Sequence, residues 1–168
     1  MKMLIIGLLL LSLGFAFSPS STAASAAQTK PDFSGIWKID MSASDFGGRK
    51  STPAYDELTL VISHHDPELK ITRKIIKKKR ERLQELLYFT DGRGESNPGL
   101  DGKTTIKSKT KWDGSNLTSK GSTSITISGA SLTIEFTDKW LMSPDSKTLI
   151  HTTLANSGTS RRVFRRIS

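Results

Sequence analysis

The chain of 168 residues contains no cysteine, so neither a disulfide nor a thiolate metal site stands behind its fold. Histidine is scarce at three, and two of these, His64 and His65, are adjacent. Neighbouring residues on a strand point to opposite faces, so that pair cannot close on one ion without a bend. No metal site is expected. No Gly-x-Ser-x-Gly elbow occurs, nor a glycine-rich phosphate loop leading into a helix. The carboxylate pairs Asp56–Glu57 and Glu81/Glu85 sit beside turns or among basic residues and read as solvated surface. With no activated nucleophile and no isolated acid/base pair, no catalytic residue is assigned. The chain is read as a non-enzyme without a cofactor.

What is present begins at the amino terminus. Lys2 precedes an uncharged apolar run, Leu4 to Phe17, and a small-residue stretch, Ser20 to Ala27. This order is that of a secretory signal peptide. The run is shorter than the roughly 20 residues of a spanning helix. Ala24-Ser-Ala26 and Ser25-Ala-Ala27 both fit a small-x-small rule, which places cleavage after Ala26 or Ala27. Residues 1–27 are therefore expected to be a leader and 28–168 one domain, periplasmic or secreted. That length buries a core without staples.

Charge is one-sided, at +9 for the chain. An exported cation of this kind meets anionic lipid or polysaccharide first. Nucleic-acid binding is not expected, because the basic run Lys70–Arg82 is not interleaved with aromatic platforms.

From residue 33 onward the chain alternates with period two and is punctuated by turn residues, a pattern of strands. Strands are read at 33–39, 58–64, 69–75, 104–112, 117–127, 132–142, 148–154 and 160–167, with 42–48 as a loop carrying a short helical turn. Lys70–Leu87 fits either a basic amphipathic helix or a hairpin with its tip at Lys77–Arg80. The β-formers Tyr88, Phe89 and Thr90 favour the hairpin. Asp113-Gly114 is an ideal hairpin dipeptide. The expected fold is all-β, an antiparallel up-and-down barrel of about 8–9 strands, with a β-sandwich as the alternative.

Parity then sorts faces. Lys103, Lys107, Lys109 and Lys111 share one face of their strand and must meet water. Thr104, Ile106, Ser108, Thr110 and Trp112 then face inward, as do Leu117, Ser119, Gly121, Thr123 and Ile125 on the next strand. Small hydroxylic residues in a barrel interior leave space and polar groups. Asp138 shares a face with Leu132, Ile134, Phe136, Trp140 and Met142. A buried carboxylate needs a cation, and Arg73, Arg162 and Arg166 are candidates. Asp138 is thus either a polar anchor for a ligand or half of a structural ion pair. The residues proposed to line or close a ligand cavity are Arg73, Tyr88, Trp112, Ser119, Thr123 and Asp138.

Asp32-Phe-Ser-Gly-Ile-Trp-Lys38 resembles the opening Gly-x-Trp strand of lipocalins and related calycin barrels. The resemblance implies that Gly35 and Trp37 meet a basic residue of the last strand, one of Arg162, Arg165 or Arg166. More broadly, the chain resembles a group of exported bacterial lipocalin-like barrels through Phe33–Trp37, Ser44-Asp-Phe-Gly47, Asp91–Asn97, Lys111-Trp-Asp-Gly114, Trp140–Asp145 with Thr148-Leu149, and Val163-Phe164. It departs from that group at Lys77–Arg80 and at the additional Gly94. The resemblance implies a fold and a compartment but no ligand. Two functions follow as expectations. One is a monomeric barrel binding a small apolar or amphiphilic molecule. The other is an envelope protein docking an anionic partner through the basic hairpin.

Overall fold

Strand alternation closes into a ring in the computed structural model, which describes residues 29–47, 53–127 and 130–167. The leader read from the sequence and the turn at Ser128-Gly129 lie outside the described residues. Ten antiparallel strands follow one another: β1 (Gly35–Asp45), β2 (Glu57–His65), β3 (Glu68–Lys77), β4 (Arg80–Phe89), β5 (Glu95–Pro98), β6 (Thr105–Asp113), β7 (Asn116–Ile127), β8 (Ala130–Met142), β9 (Thr148–Ala155) and β10 (Gly158–Arg166). Their order in the sheet is β4-β3-β2-β1-β10-β9-β8-β7-β6-β5. A single sheet whose first and last strands meet is a nearly closed barrel, so the sandwich alternative falls. No helix occurs among the described residues.

The count is ten rather than eight or nine because β5 escaped the alternation rule. Its inward residues, Glu95 and Asn97, are polar and buried. The basic segment is a hairpin, β3 paired with β4 from Glu68↔Phe89 to Lys77↔Arg80. Lys78 and Lys79 turn it with positive φ. Of the stretch 42–48 read as a loop, Ser42 to Asp45 is instead the end of β1, Phe46 and Gly47 lie outside any strand, and residue 48 falls outside the described residues. A register shift between Asp40 and Asp45 bends that strand. The Asp40 carboxylate accepts from the Ser42 hydroxyl and the Ala43 N–H, and Ser44 Oγ accepts from Val163 N–H across the bend at 2.9 Å.

One end of the barrel is filled. Trp37, Leu117 and Leu149 are fully buried there, with Phe33, Leu60, Ile71 and Phe164 beside them. Trp37 donates its indole N–H to Phe33 O at 3.0 Å. Arg166 lies 4.3 Å over the Trp37 ring and donates to Ser34 O and Ser146 O. Of the three arginines left open by the sequence, Arg166 is the one that covers the tryptophan, a cation over an indole face.

β4 and β5 share no ladder of backbone bonds. Side chains bridge the seam instead. Asn97 accepts from Leu87 N–H at 2.7 Å and donates to Leu87 O at 2.8 Å. Gln84 donates to Pro98 O and Gly99 O, and Glu95 accepts from Phe89 N–H.

Gly121 shows how tightly β6, β7 and β8 pack. A Cβ there would lie 2.4 Å from Lys107 O and 2.6 Å from Phe136 Cζ. Gly121→Ala is expected to cost about 1–3 kcal/mol or more through overpacking. A urea midpoint equal to that of the parent would refute this close approach.

Candidate functional site

The opposite, open end of the barrel leads into a cavity of about 280 Å3. Its lining residues nearest the filled end are Tyr88, Trp140 and Phe164, which form a floor. Leu58, Leu60, Ile75 and Leu86 supply apolar wall from β2, β3 and β4, and Leu100, Ile106, Thr123 and Ile134 stand toward the mouth. The β7–β8 hairpin extends past its neighbours. β6 pairs with β7 only as far as Thr123, and β9 with β8 only from Phe136. The overhang keeps the inward parity, with Leu132 half exposed at its inner side.

A polar group sits in this apolar wall. Asp138 on β8 and His151 on β9 face each other, His151 Nε2 lying 3.3 Å from Asp138 Oδ1. Neither of those two buried atoms completes a hydrogen bond. His151 also stacks on Trp140, ring centroids 4.0 Å apart. Burial opposes the charge on Asp138. His151, the Thr153 hydroxyl and the Arg73 guanidinium more than offset it, so the carboxyl is held below the usual carboxylate range. Burial pushes the His151 imidazole below its ordinary value against the pull of Asp138. It likewise pushes the Tyr88 hydroxyl up, with Arg73 opposing.

Two guanidinium groups complete the cavity wall, Arg73 from β3 and Arg162 from β10. Arg162 donates to Tyr55 Oη at 3.1 Å and Thr153 Oγ1 at 3.4 Å. Arg73 makes no side-chain hydrogen bond among the described residues and acts on Asp138, His151 and Tyr88 through space. Two cations thus surround one carboxylate, in a lining whose remaining residues are neutral or, for His151, held from protonation. The cavity carries an excess of positive charge.

Of the residues chosen from the sequence, Arg73, Tyr88, Thr123 and Asp138 line this one cavity. Two do not. Ser119 faces inward and is buried, but it is tied into a hydroxyl chain. Thr110 Oγ1 is 2.6 Å from Ser119 Oγ and donates to Glu95 Oε1 at 2.7 Å, and Ser108 donates to the same oxygen at 2.6 Å. Trp112 lies at the filled end. Its indole N–H donates to Asp66 Oδ1 at 3.0 Å, and its ring stacks on Phe33 with Lys30 above it. Parity placed both on the correct face, but the depth along the barrel axis removes them from the lining. Of the cationic partners considered for Asp138, Arg73 is in place, whereas Arg166 is taken by Trp37. His151, Tyr55 and Arg162 were not chosen as lining. The alternation Leu149, His151, Thr153, Ala155 in β9 carries the signal for His151.

The adjacent histidines diverge, His64 buried and His65 exposed. His64 Nδ1 accepts from Phe33 N–H at 3.3 Å, while its Nε2 is buried without a bond. Burial lowers its basicity despite Asp32 and Asp66. His64 and His151 therefore resist protonation in the fold but accept it when unfolded. Between the depressed folded values and the unfolded value near 6.5, the unfolded chain binds more protons, so stability falls as pH falls. Asp66 adds to the same trend at lower pH. Burial opposes its ionisation, but Lys30, Thr90 and Trp112 together hold it well below the usual range. Its contribution is lost as pH drops below about 4. The urea midpoint is expected to decline from pH 7 to 5, and His151→Gln should flatten that decline. An unchanged slope would remove His151 from the account.

No protein-family model matches the chain, and no curated protein matches it by sequence. Solved structures do match in shape. Secretory abundant heat soluble protein 4 from Ramazzottius varieornatus superposes with a TM-score of 0.57 at 17% identity, over 86% of this chain and 100% of that one. The fluorescent protein UnaG gives 0.56 at 20% identity, over 80% and 96%. REP1-NXSQ, a fatty acid transporter, gives 0.55 at 16% identity, over 81% and 96%. At such identities the likeness is one of fold, a calycin-like barrel.

Proposed function

We propose that this is an exported barrel, periplasmic or secreted, that binds a small, partly apolar molecule bearing one anionic group. The observation that carries the reading is the cavity itself. An apolar wall surrounds Arg73, Arg162 and the unsatisfied Asp138–His151 pair. Its volume of about 280 Å3 stands at the lower edge of the roughly 300–1,000 Å3 of small-molecule sites. A neutral apolar guest would leave the Arg73 guanidinium without a hydrogen-bond partner, which costs about 1–3 kcal/mol. A guest with an acidic head would meet the surplus positive charge, and its tail would cover Leu58, Leu86 and Ile134. That one fold neighbour is a fatty acid transporter supports this class of guest. The apolar start of the chain supports export.

Native mass spectrometry of the protein from its own host should show one retained small molecule and a mature chain beginning at Ala27 or Gln28. Dodecanoate and dodecanol then separate the roles of head and tail. A charge-assisted hydrogen bond contributes about 1.5–3 kcal/mol. Arg73→Met with Arg162→Met should therefore weaken dodecanoate roughly tenfold or more while sparing dodecanol. If the parent takes up neither probe and retains nothing from its host, the binding function is wrong.

A further inference from the structure

We infer that the outer face of β6 to β9, continued by Arg161 of β10, is a docking surface for an acidic polysaccharide chain. Lys107, Lys109 and Lys111 stand along β6 at two-residue intervals, roughly 7 Å apart. Across the sheet, Lys109 lies directly opposite Lys120. One row runs Lys111, Thr118, Lys139, Thr152 and Arg161 in register through five strands. Cations thus recur on every second strand, about 10 Å apart, with threonines between them.

The five lysines and Arg161 are exposed, whereas Thr118 is buried between them, and none of the five lysines has an ion-pair partner among the described residues. The hairpin at Lys77–Arg80 differs. Lys77 meets Asp56, and Lys74 nearby meets Glu81. Like charges directly opposite on a sheet are destabilising, so the Lys109–Lys120 pair weakens the wall unless an anion lies over it.

The shape narrows the partner. A groove of about 770 Å3 crosses this face from β6 to β9. Lys107, Lys109 and Lys120 rim it, Ser122 and Thr137 add hydroxyls, and Glu135 is its one carboxylate. A linear chain fits a groove, whereas a planar bilayer would rest on the rim. The aromatic residues of these strands, Trp112, Phe136 and Trp140, turn toward the barrel interior, so nucleic-acid bases would find no stacking platform outside. Carboxylate or sulfate groups spaced along a glycan would meet the lysines, and its hydroxyls would meet Ser122 and Thr137.

Heparin and polygalacturonate are suitable probes for protein purified from its own host. Lys109→Gln, Lys120→Gln and Lys139→Gln combined should weaken both by about tenfold or more and flatten the dependence of affinity on salt. Lys77→Gln, Lys78→Gln and Lys79→Gln combined should bind within about twofold of the parent. Thermal unfolding checks that the first variant is folded, and relief of the Lys109–Lys120 repulsion should leave its Tm equal or higher. Parent-like binding by the first variant would overturn the proposal. So would tighter binding of the parent to single-stranded DNA, or to phosphatidylglycerol vesicles, than to either glycan at the same salt. The cavity is not involved, so this surface can fail while ligand binding stands, and the reverse.

Discussion

Trp37→Ala is expected to lower the unfolding free energy by about 3–5 kcal/mol, a large share of the 5–15 kcal/mol typical of a domain. Trp37 is fully buried in the filled end of the barrel. Its removal loses the apolar burial and leaves a space that the surrounding Phe33 and Phe164 can only partly close. It also strands two polar contacts. Phe33 O loses its indole donor, and Arg166 loses the ring beneath it. Trp37→Phe separates these effects, because it keeps an aromatic face for Arg166 and loses the N–H bond, at a cost of about 1–2 kcal/mol. Urea denaturation measures both. A loss under 1 kcal/mol for Trp37→Ala would mean that the filled end is not the stable part of the barrel.

Asn97→Leu should cost about 2–5 kcal/mol for a different reason. Asn97 is buried, and its amide reproduces one rung of a sheet ladder, taking both backbone groups of Leu87. Leucine has similar volume and offers neither bond, so a partly buried N–H and C=O lose their partners at about 1–3 kcal/mol each. Hydrogen exchange gives the more specific reading. The Leu87 amide should exchange much faster in the variant, while the Ile71 amide on the neighbouring strand should change only in proportion to global stability. Equal protection of Leu87 in both proteins would show that the seam is held by something else.

Much of the barrel was legible because one wall was written in contrasting chemistry. Lysines at 107, 109 and 111 alternate with Ser108 and Thr110, and only one assignment of faces keeps the lysines in water. The β3–β4 hairpin was legible from the β-formers after Ile75. β5 was not. Its inward residues are polar because they serve the seam and its hydroxyl network, and periodicity of apolar residues cannot report a strand whose buried positions are Glu95 and Asn97. The site was legible in direction but not in depth. Parity identifies which residues point inward, yet only the closed barrel shows that Trp112 sits at the filled end while Thr123 stands near the mouth. His151 escaped because a lone histidine in the alternation Leu149, His151, Thr153 carries no pattern of its own, and only the pairing of β8 with β9 sets it beside Asp138.

The joint between β4 and β5 has a consequence for how the molecule comes apart. Nine of the ten circumferential junctions are welded by main-chain bonds, and the tenth is a clasp of Gln84, Glu95 and Asn97. A ring of this construction parts at its clasp before its welds. The first excursion from the native state is a slit along one side, a curled open sheet with every other pairing intact, and a bound guest could leave sideways through that slit without passing the mouth.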